Sequence, residues 1–459
     1  MKKHLQNKHP VTLLAAFIAL ILSVFGNVTR NWCNGTLRLL ALLLESLFNM
    51  EDDREKKILN HFPRDIRTVR EVFDVEPTTI TYAACPKCSA TYPPGKKGKI
   101  SIYPARCTWQ AYKGGKTCGT TLTTRRVVDE QSVRAPIRPF IVQDFAEFKA
   151  GLLSQPGMED AMDCGTILND EHNLWDIQDG TGIRELRGPD GRPFIDGLKR
   201  DELRLAWSLS VDWFNPFLNK AAGKTVSTGS IAMALLNLPP SLRYKAENMY
   251  LVGVIPGPKE PSLDEINHFL MPLVKMLIPS WKQGTLFSST YRNPGGRRER
   301  SAVALVVSDL PAARKILGFA HFSFKKYFCS ACMLNKANIN NVNWWEWPQR
   351  KREDHMRAAE AWRDAPTQKD RKALFQKHGI RWSVLLLLEY FNPATMVVVD
   401  SMHNLFLGLV QRHFREYLGI GRSPRTTGKH TKCKKKPSND VGPSHEVWVA
   451  VFLHSRRVY

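Results

Sequence analysis

Two aspartates, each closing a short apolar run, restrict the fold of this chain more than any other feature. Asp212 follows Leu-Ala-Trp-Ser-Leu-Ser-Val at 205–211, and Asp309 follows Ala-Val-Ala-Leu-Val-Val-Ser at 302–308. Apolar, β-branched-rich runs of that length read as buried strands. Pro311 stands where the first turn of a following helix tolerates it. Between the two acids lie a Gly/Asn/Lys-rich turn (219–229), an apolar run (231–238), the turn Pro239-Pro240-Ser241 and a third run (249–255) closed by Pro256-Gly257-Pro258. Ser262 and Glu265 then read as a capping box. Ile266, Phe269, Leu270, Leu273, Val274 and Leu277 recur behind it at helical spacing.

The order is strand with acid, strand, strand, helix, strand with acid, helix. A meander of three strands followed by a helical crossover lays the fourth strand parallel to the first. Asp212 and Asp309 are then expected side by side at one sheet edge. This is the order of a ribonuclease H-like core, a mixed α/β or α+β fold whose paired carboxylates hold two divalent metals. Such metals, about 3.5–4 Å apart, clamp the attacking and leaving oxygens of an in-line phosphoryl displacement. Mg²⁺ prefers carboxylate and water oxygens, so one or two acids per ion suffice. Strand-end acids also cap helices, and Asp309 is placed to do that as well.

The 459 residues carry a net charge of +23. Basic clusters fall at 297–300, 325–326, 349–352 and 432–436. That balance suits a polyanionic partner, nucleic acid above all, and gives no sign of a small-molecule substrate. Nine cysteines include two C-x-x-C pairs, which points to metal ligation in a reducing compartment rather than to a disulfide framework. Cys85, Cys88, Cys107 and Cys118 have the spacing of four thiolates on one tetrahedral Zn²⁺, with Tyr92, Tyr103, Trp109 and Tyr112 around them. They read as a metal-stapled ribbon with little core of its own. Cys329 and Cys332 supply half of a second site and need distant partners, for which His321, His403 and His413 are candidates. Cys164 stands alone.

The apolar stretch 11–28 imitates a signal peptide or membrane span. Asn27, Arg30, Asn31 and Asn34 interrupt it, and a second apolar stretch follows at 37–48. A hairpin of two packed helices accounts for both without a bilayer. The divisions expected are a helical region (1–76), the four-cysteine module (77–130), a linker and helical region (131–200), the core (201–420) with a helical insertion near 335–390, and a basic linker with a final element (421–459). In the linker region, 136–150 reads as linker, 152–162 as helix and 176–197 as a long loop. Residues 395–400 repeat the theme of an apolar run closed by an acid, Asp400, and an amphipathic helix follows through Tyr417. The run at 447–453 stops soon afterwards at Tyr459, as a shortened copy of a longer protein would.

An ordered series of motifs then resembles a known family. Asp212-Trp-Phe-Asn-Pro-Phe217, Asn237-Leu-Pro-Pro240, Ile255-Pro-Gly-Pro-Lys259, Phe269-Leu-Met-Pro-Leu273, Ser308-Asp-Leu-Pro-Ala312, Cys329-Ser-Ala-Cys332 and Asp400-Ser-Met-His403 resemble, in that order, the transposases of CACTA (En/Spm-like) elements of the fungal type. The resemblance implies a DDE/D transposase that cuts and rejoins DNA with Mg²⁺ or Mn²⁺, in the nucleus, as a homo-oligomer on transposon ends and target. It implies Asp212 and Asp309 as the first two catalytic acids. It also implies a zinc-binding role for Cys329 and Cys332, with His403 the preferred partner. The third acid is expected on a helix, with Glu416 ahead of Asp400 and a residue beyond Tyr459 standing at least level with Glu416. The competing expectations are a noncatalytic zinc-dependent DNA-binding or scaffolding derivative and a membrane-anchored protein.

Overall fold

The computed structural model describes residues 9–420 apart from 25, 27, 50, 74, 99, 129–130, 164–174, 196–200 and 217–225. Cys164, the basic run 432–436 and the element at 447–453 lie outside them. The chain divides into two compact units, Met1–Thr78 and Thr79–Tyr459.

The first unit is helical, with helices Pro10–Val24, Arg30–Leu47, Asp53–Asn60 and Ile66–Phe73. Small side chains let the first two approach closely: Ala15, Ala16, Ala19 and Leu20 share a core with Cys33, Leu37, Ala41 and Leu44. Two of the polar residues that interrupt the apolar sequence have structural work. Arg30 reaches Asp65 at 2.7 Å, and the Asn34 side chain accepts the Ile66 N–H at 2.8 Å. No described helix is long and apolar enough to cross a membrane. The 15-residue first helix spans about 22 Å at 1.5 Å per residue, short of a hydrocarbon core of about 30 Å.

The second unit is a mixed α+β body. Its strands are β1 (Thr79–Ala84), β2 (Thr91–Tyr92), β3 (Gly95–Lys97), β4 (Ile100–Ile102), β5 (Thr123–Val128), β6 (Gln131–Pro136), β7 (Pro139–Gln143), β8 (Glu202–Phe214), β9 (Thr228–Leu235), β10 (Tyr250–Ile255), β11 (Thr285–Phe287), β12 (Arg297–Ser308) and β13 (Val397–Val399). Nine form one sheet in the order β11-β12-β8-β9-β10-β7-β1-β2, with β13 also paired to β12. β8, β9 and β10 are the expected antiparallel meander. Helix Ile266–Lys282 leads back across the sheet, and β12 pairs with β8 in parallel. Its buried face, including Phe269, Leu270, Leu273, Val274 and Leu277, is the helical stripe legible in the sequence. The capping box survives in part. Glu265 accepts the Ser262 N–H at 2.8 Å, and the regular helix starts at Ile266.

Three local expectations need correcting. Asp212 does not end its strand: β8 runs on to Phe214, which pairs with Thr228. Residues 139–143, expected as linker, are β7, which joins the meander to β1. The four-cysteine module is therefore built onto the core sheet rather than set apart from it. The segment 176–197 contains a short turn of helix at Ile177–Asp179 and another at Thr181–Arg184.

Beneath the sheet, Trp207 is fully buried and donates from Nε1 to Ser301 Oγ at 3.0 Å. Ser301 and Ser280 also surround Lys149, whose ammonium pairs with Glu299 while both side chains are 1% exposed. Removing one member of such a pair strands the other charge in a low-dielectric core. Lys149→Ala is expected to destabilise the fold by about 3–5 kcal/mol in urea titrations.

The insertion forms helices Arg352–Asp364 and Gln368–His378, with a small core of Ala358, Ala359, Ile380 and Leu386. His355 is 2% exposed, and neither ring nitrogen has a hydrogen-bond partner among the described residues. Burial first, and the nearby Arg350 charge second, bring it down to about 3. The unfolded chain thus binds the extra proton between about pH 6.5 and 3, so stability is full above that window and falls as the pH drops through it. His355→Phe, which keeps a ring against Phe319, is expected to recover about 2 kcal/mol of the loss between pH 6.5 and 5, read by denaturation at both pH values.

Candidate active site and metal centre

The parallel pairing fixes the level of the acids. Val306 lies opposite Leu209, so Asp309 and Asp212 each stand three residues further along adjacent strands. The Val211 N–H donates to Ser308 Oγ at 3.0 Å, immediately below the two carboxylates. Ser308 is also the register partner of Val399, which puts Asp400 next to Asp309 on the other side. Asp212, near the end of β8, and Asp309 and Asp400, just past β12 and β13, thus stand at one level on three adjacent parallel strands, although their oxygens do not all lie within 4.8 Å of one another.

Each carboxylate has a local anchor. Asp212 accepts from the Trp213 N–H at 2.8 Å and is solvent-exposed. Asp309 Oδ1 accepts from the Ala312 N–H at 2.7 Å and caps helix Leu310–Leu317; Oδ2 has no protein partner among the described residues. Asp400 accepts from the Met402 N–H at 2.8 Å and lies 2.5 Å from His403 Nδ1. Burial alone would raise Asp400, but the His403 ring and the Met402 N–H outweigh it and hold the carboxyl below its ordinary range. His403 is held above its ordinary value, first by that hydrogen bond and further by the charges of Asp400, Asp309 and Asp212. All three acids therefore act on one imidazole.

The sequence did not single out the support around Asp212. Trp213 pairs with Gly229, and a Cβ at 229 would come within 2.5 Å of the indole. Glycine is what lets the ring lie across β9. Lys315 places its ammonium 4.5 Å from the ring centre and 3.1 Å from Glu260. The sequence offered no such signal, because Gly229 closes the segment that reads as a turn, whereas β9 already begins at Thr228.

His403 is not grouped with Cys329 and Cys332 in a metal set, contrary to expectation, and its Nδ1 pairs with Asp400. The cysteine pair lies in a separate small cluster with Leu334, Trp344 and Trp347. The neighbouring Cys332 thiol, against burial, brings Cys329 down to about 6, and Cys329 together with burial pushes Cys332 up. No third His, Cys or carboxylate atom among the described residues completes a metal set with them. Glu416, the favoured third acid, is exposed and pairs at 2.8 Å with Arg412 one turn away on its own helix. The segment 402–420 has wide turns, with the Leu418 N–H donating to the His413 carbonyl five residues back. None of its residues is buried, although an amphipathic helix packed by Leu405, Phe406, Leu409, Val410 and Phe414 was expected.

Cys85, Cys88, Cys107 and Cys118 do converge, with all four sulfurs within 4.8 Å of one another. Cys85 and Cys118 are 3.8 Å apart, and Cys88 and Cys107 are 3.5 Å apart. Those separations are far too long for disulfides and close to the roughly 3.8 Å edge of a tetrahedron with Zn–S near 2.3 Å. Burial raises Cys88 and Cys107. Burial also opposes ionisation of Cys118, but its hydrogen bonds with Thr120 prevail and bring it down to about 7. Buried thiols clustered so closely have the donor set and spacing that Zn²⁺ requires.

Several basic residues counted toward a polyanion surface are spent internally. Arg297 binds Glu159 at 2.8 Å and Asp163 at 2.7 Å, and Arg300 binds Glu202 at 2.7 Å. Arg350 donates to the Cys329 carbonyl at 2.7 Å, and Arg352 to that of Glu389 at 2.6 Å. Lys325 and Lys326 remain exposed.

Residues 195–374 match the family model described as Transposase family tnp2. The match includes Asp212, Asp309, the Cys329–Cys332 pair and most of the insertion, and it supports a transposase family for this chain. No curated protein matches it.

Proposed function

We propose that this protein is a DNA transposase of the CACTA (En/Spm-like) kind, a metal-dependent nuclease and strand transferase with a ribonuclease H-like core. The observation that carries the reading is the run β10-β9-β8-β12-β13, in which β8, β12 and β13 are parallel and deliver Asp212, Asp309 and Asp400 at one level. On this reading Asp400, rather than Glu416, is the third acid. The three carboxylates would hold Mg²⁺ or Mn²⁺ once drawn within about 4.8 Å of one another, closer than they stand in the free chain, and the ion would supply activation of the attacking oxygen and neutralisation of charge on the leaving one. His403 orients Asp400. Water attacks a phosphodiester at the element's end, and the freed 3′-hydroxyl then attacks target DNA in the same in-line geometry. Zn²⁺ in the four-cysteine set is structural, and the chain works in the nucleus as a homo-oligomer on DNA.

The test is nicking of duplex DNA by the full chain. Mg²⁺-dependent nicking that EDTA stops and Asp309→Asn abolishes is the expected result. Binding to DNA with no nicking under any divalent ion would leave only a noncatalytic derivative.

A further inference from the structure

The strand directions put the four-cysteine module on the carboxylate edge. β9, β10, β7 and β1 alternate in direction outward from β8, so β1 points the same way as β8. Its last residue, Ala84, lies toward the edge that carries Asp212, Asp309 and Asp400, and Cys85 follows at once. β7 runs the other way and starts at that edge with Pro139, three residues after β6 ends at Pro136. The two-stranded ribbon β5–β6 is therefore rooted there. Arg138 fastens the root, donating to Ser89 Oγ at 3.2 Å and to the Pro256 carbonyl at 3.1 Å. Three strand spacings, about 14 Å, separate β7 from β8.

The ribbon carries an unusual pairing. Arg125 and Arg134 are register partners and so share one face. Like charges directly opposite each other destabilise a strand pair. Both are exposed, as is the adjacent Arg126, and none of the three side chains has a hydrogen bond or ion pair among the described residues. The sequence contains no acid from Cys85 through Val128; Asp129 and Glu130 lie outside the described residues. A guanidinium pair kept unneutralised on an exposed ribbon is suited to phosphates. A two-stranded ribbon also fits a major groove about 12 Å wide.

We propose that the Arg125–Arg134 ribbon grips the backbone of duplex DNA to one side of the phosphate presented to Asp212, Asp309 and Asp400. The inference rests on the DNA-processing reading and adds to it where the duplex is held. It is tested by anisotropy of a short labelled duplex titrated with the full chain over a salt series. The double variant Arg125→Glu/Arg134→Glu is expected to bind at least about tenfold more weakly, with a salt slope shallower by about 2, roughly one unit for each phosphate no longer neutralised. Arg125→Lys/Arg134→Lys is expected to retain the slope. Unchanged zinc content and melting in both variants exclude misfolding. If the charge-reversed chain binds with wild-type affinity and slope while wild-type nicking persists, the ribbon proposal alone is overturned. If the wild-type chain neither binds nor nicks duplex DNA, the functional reading falls and takes the proposal with it.

Discussion

Asp400→Asn is expected to lower Mg²⁺-dependent nicking by about 10³-fold, equivalent to about 4 kcal/mol of transition-state stabilisation, whereas Glu416→Gln stays within about twofold. The contrast follows from position. Asp400 ends the strand beside Asp309 and shares His403 with it and with Asp212. Glu416 is turned to its own neighbour Arg412 in solvent. Asp400→Asn keeps the Met402 cap acceptor and removes one negative charge, so the loss should fall on cleavage and not on DNA affinity. Rates measured at saturating DNA separate the two. Equal losses in both variants would mean that 402–420 rearranges on DNA to bring Glu416 in, and the present set of acids would be abandoned.

The second large effect concerns zinc. The purified chain is expected to hold one Zn²⁺, counted by native mass spectrometry, and Cys329→Ala/Cys332→Ala should leave that count unchanged. Cys107→Ala should abolish it. Structural zinc sites of this type contribute about 10–16 kcal/mol of binding free energy to folding. Here the loss would spread, because β1 is both the base of the module and the strand that covers β7. Freeing β7 exposes unpaired backbone groups, an invitation to aggregation. A count of two would show that Cys329 and Cys332 find partners after all.

The central meander, the crossover helix and the second parallel strand were legible because each buries a periodic apolar face between clear turn residues. Asp212 and Asp309 were legible for the same reason, as acids interrupting such runs. The four cysteines were legible from spacing, since zinc geometry tolerates few arrangements. β7 was missed because Pro139-Phe-Ile-Val-Gln143 is short and begins with proline, a composition that reads as linker until its partners are known. The case for Asp400 over Glu416 rests on a pairing the sequence hides: Val397–Val399 is only three residues long, and its place beside β12 is invisible without the fold. The internal use of Arg297, Arg300 and Arg350 was equally hidden: their partners are distant in sequence, and charge counting treats every arginine as surface.

Ser308 has a consequence out of proportion to its size. Its hydroxyl, not a main-chain carbonyl, receives the Val211 N–H one residue below the acids. The gap between two negative groups that would otherwise push apart is thus gauged by one short side chain. With alanine at 308 the Val211 N–H would lose that acceptor, so on the proposed reading the separation of the two acids, and with it the preference for a small ion over a larger one, should drift.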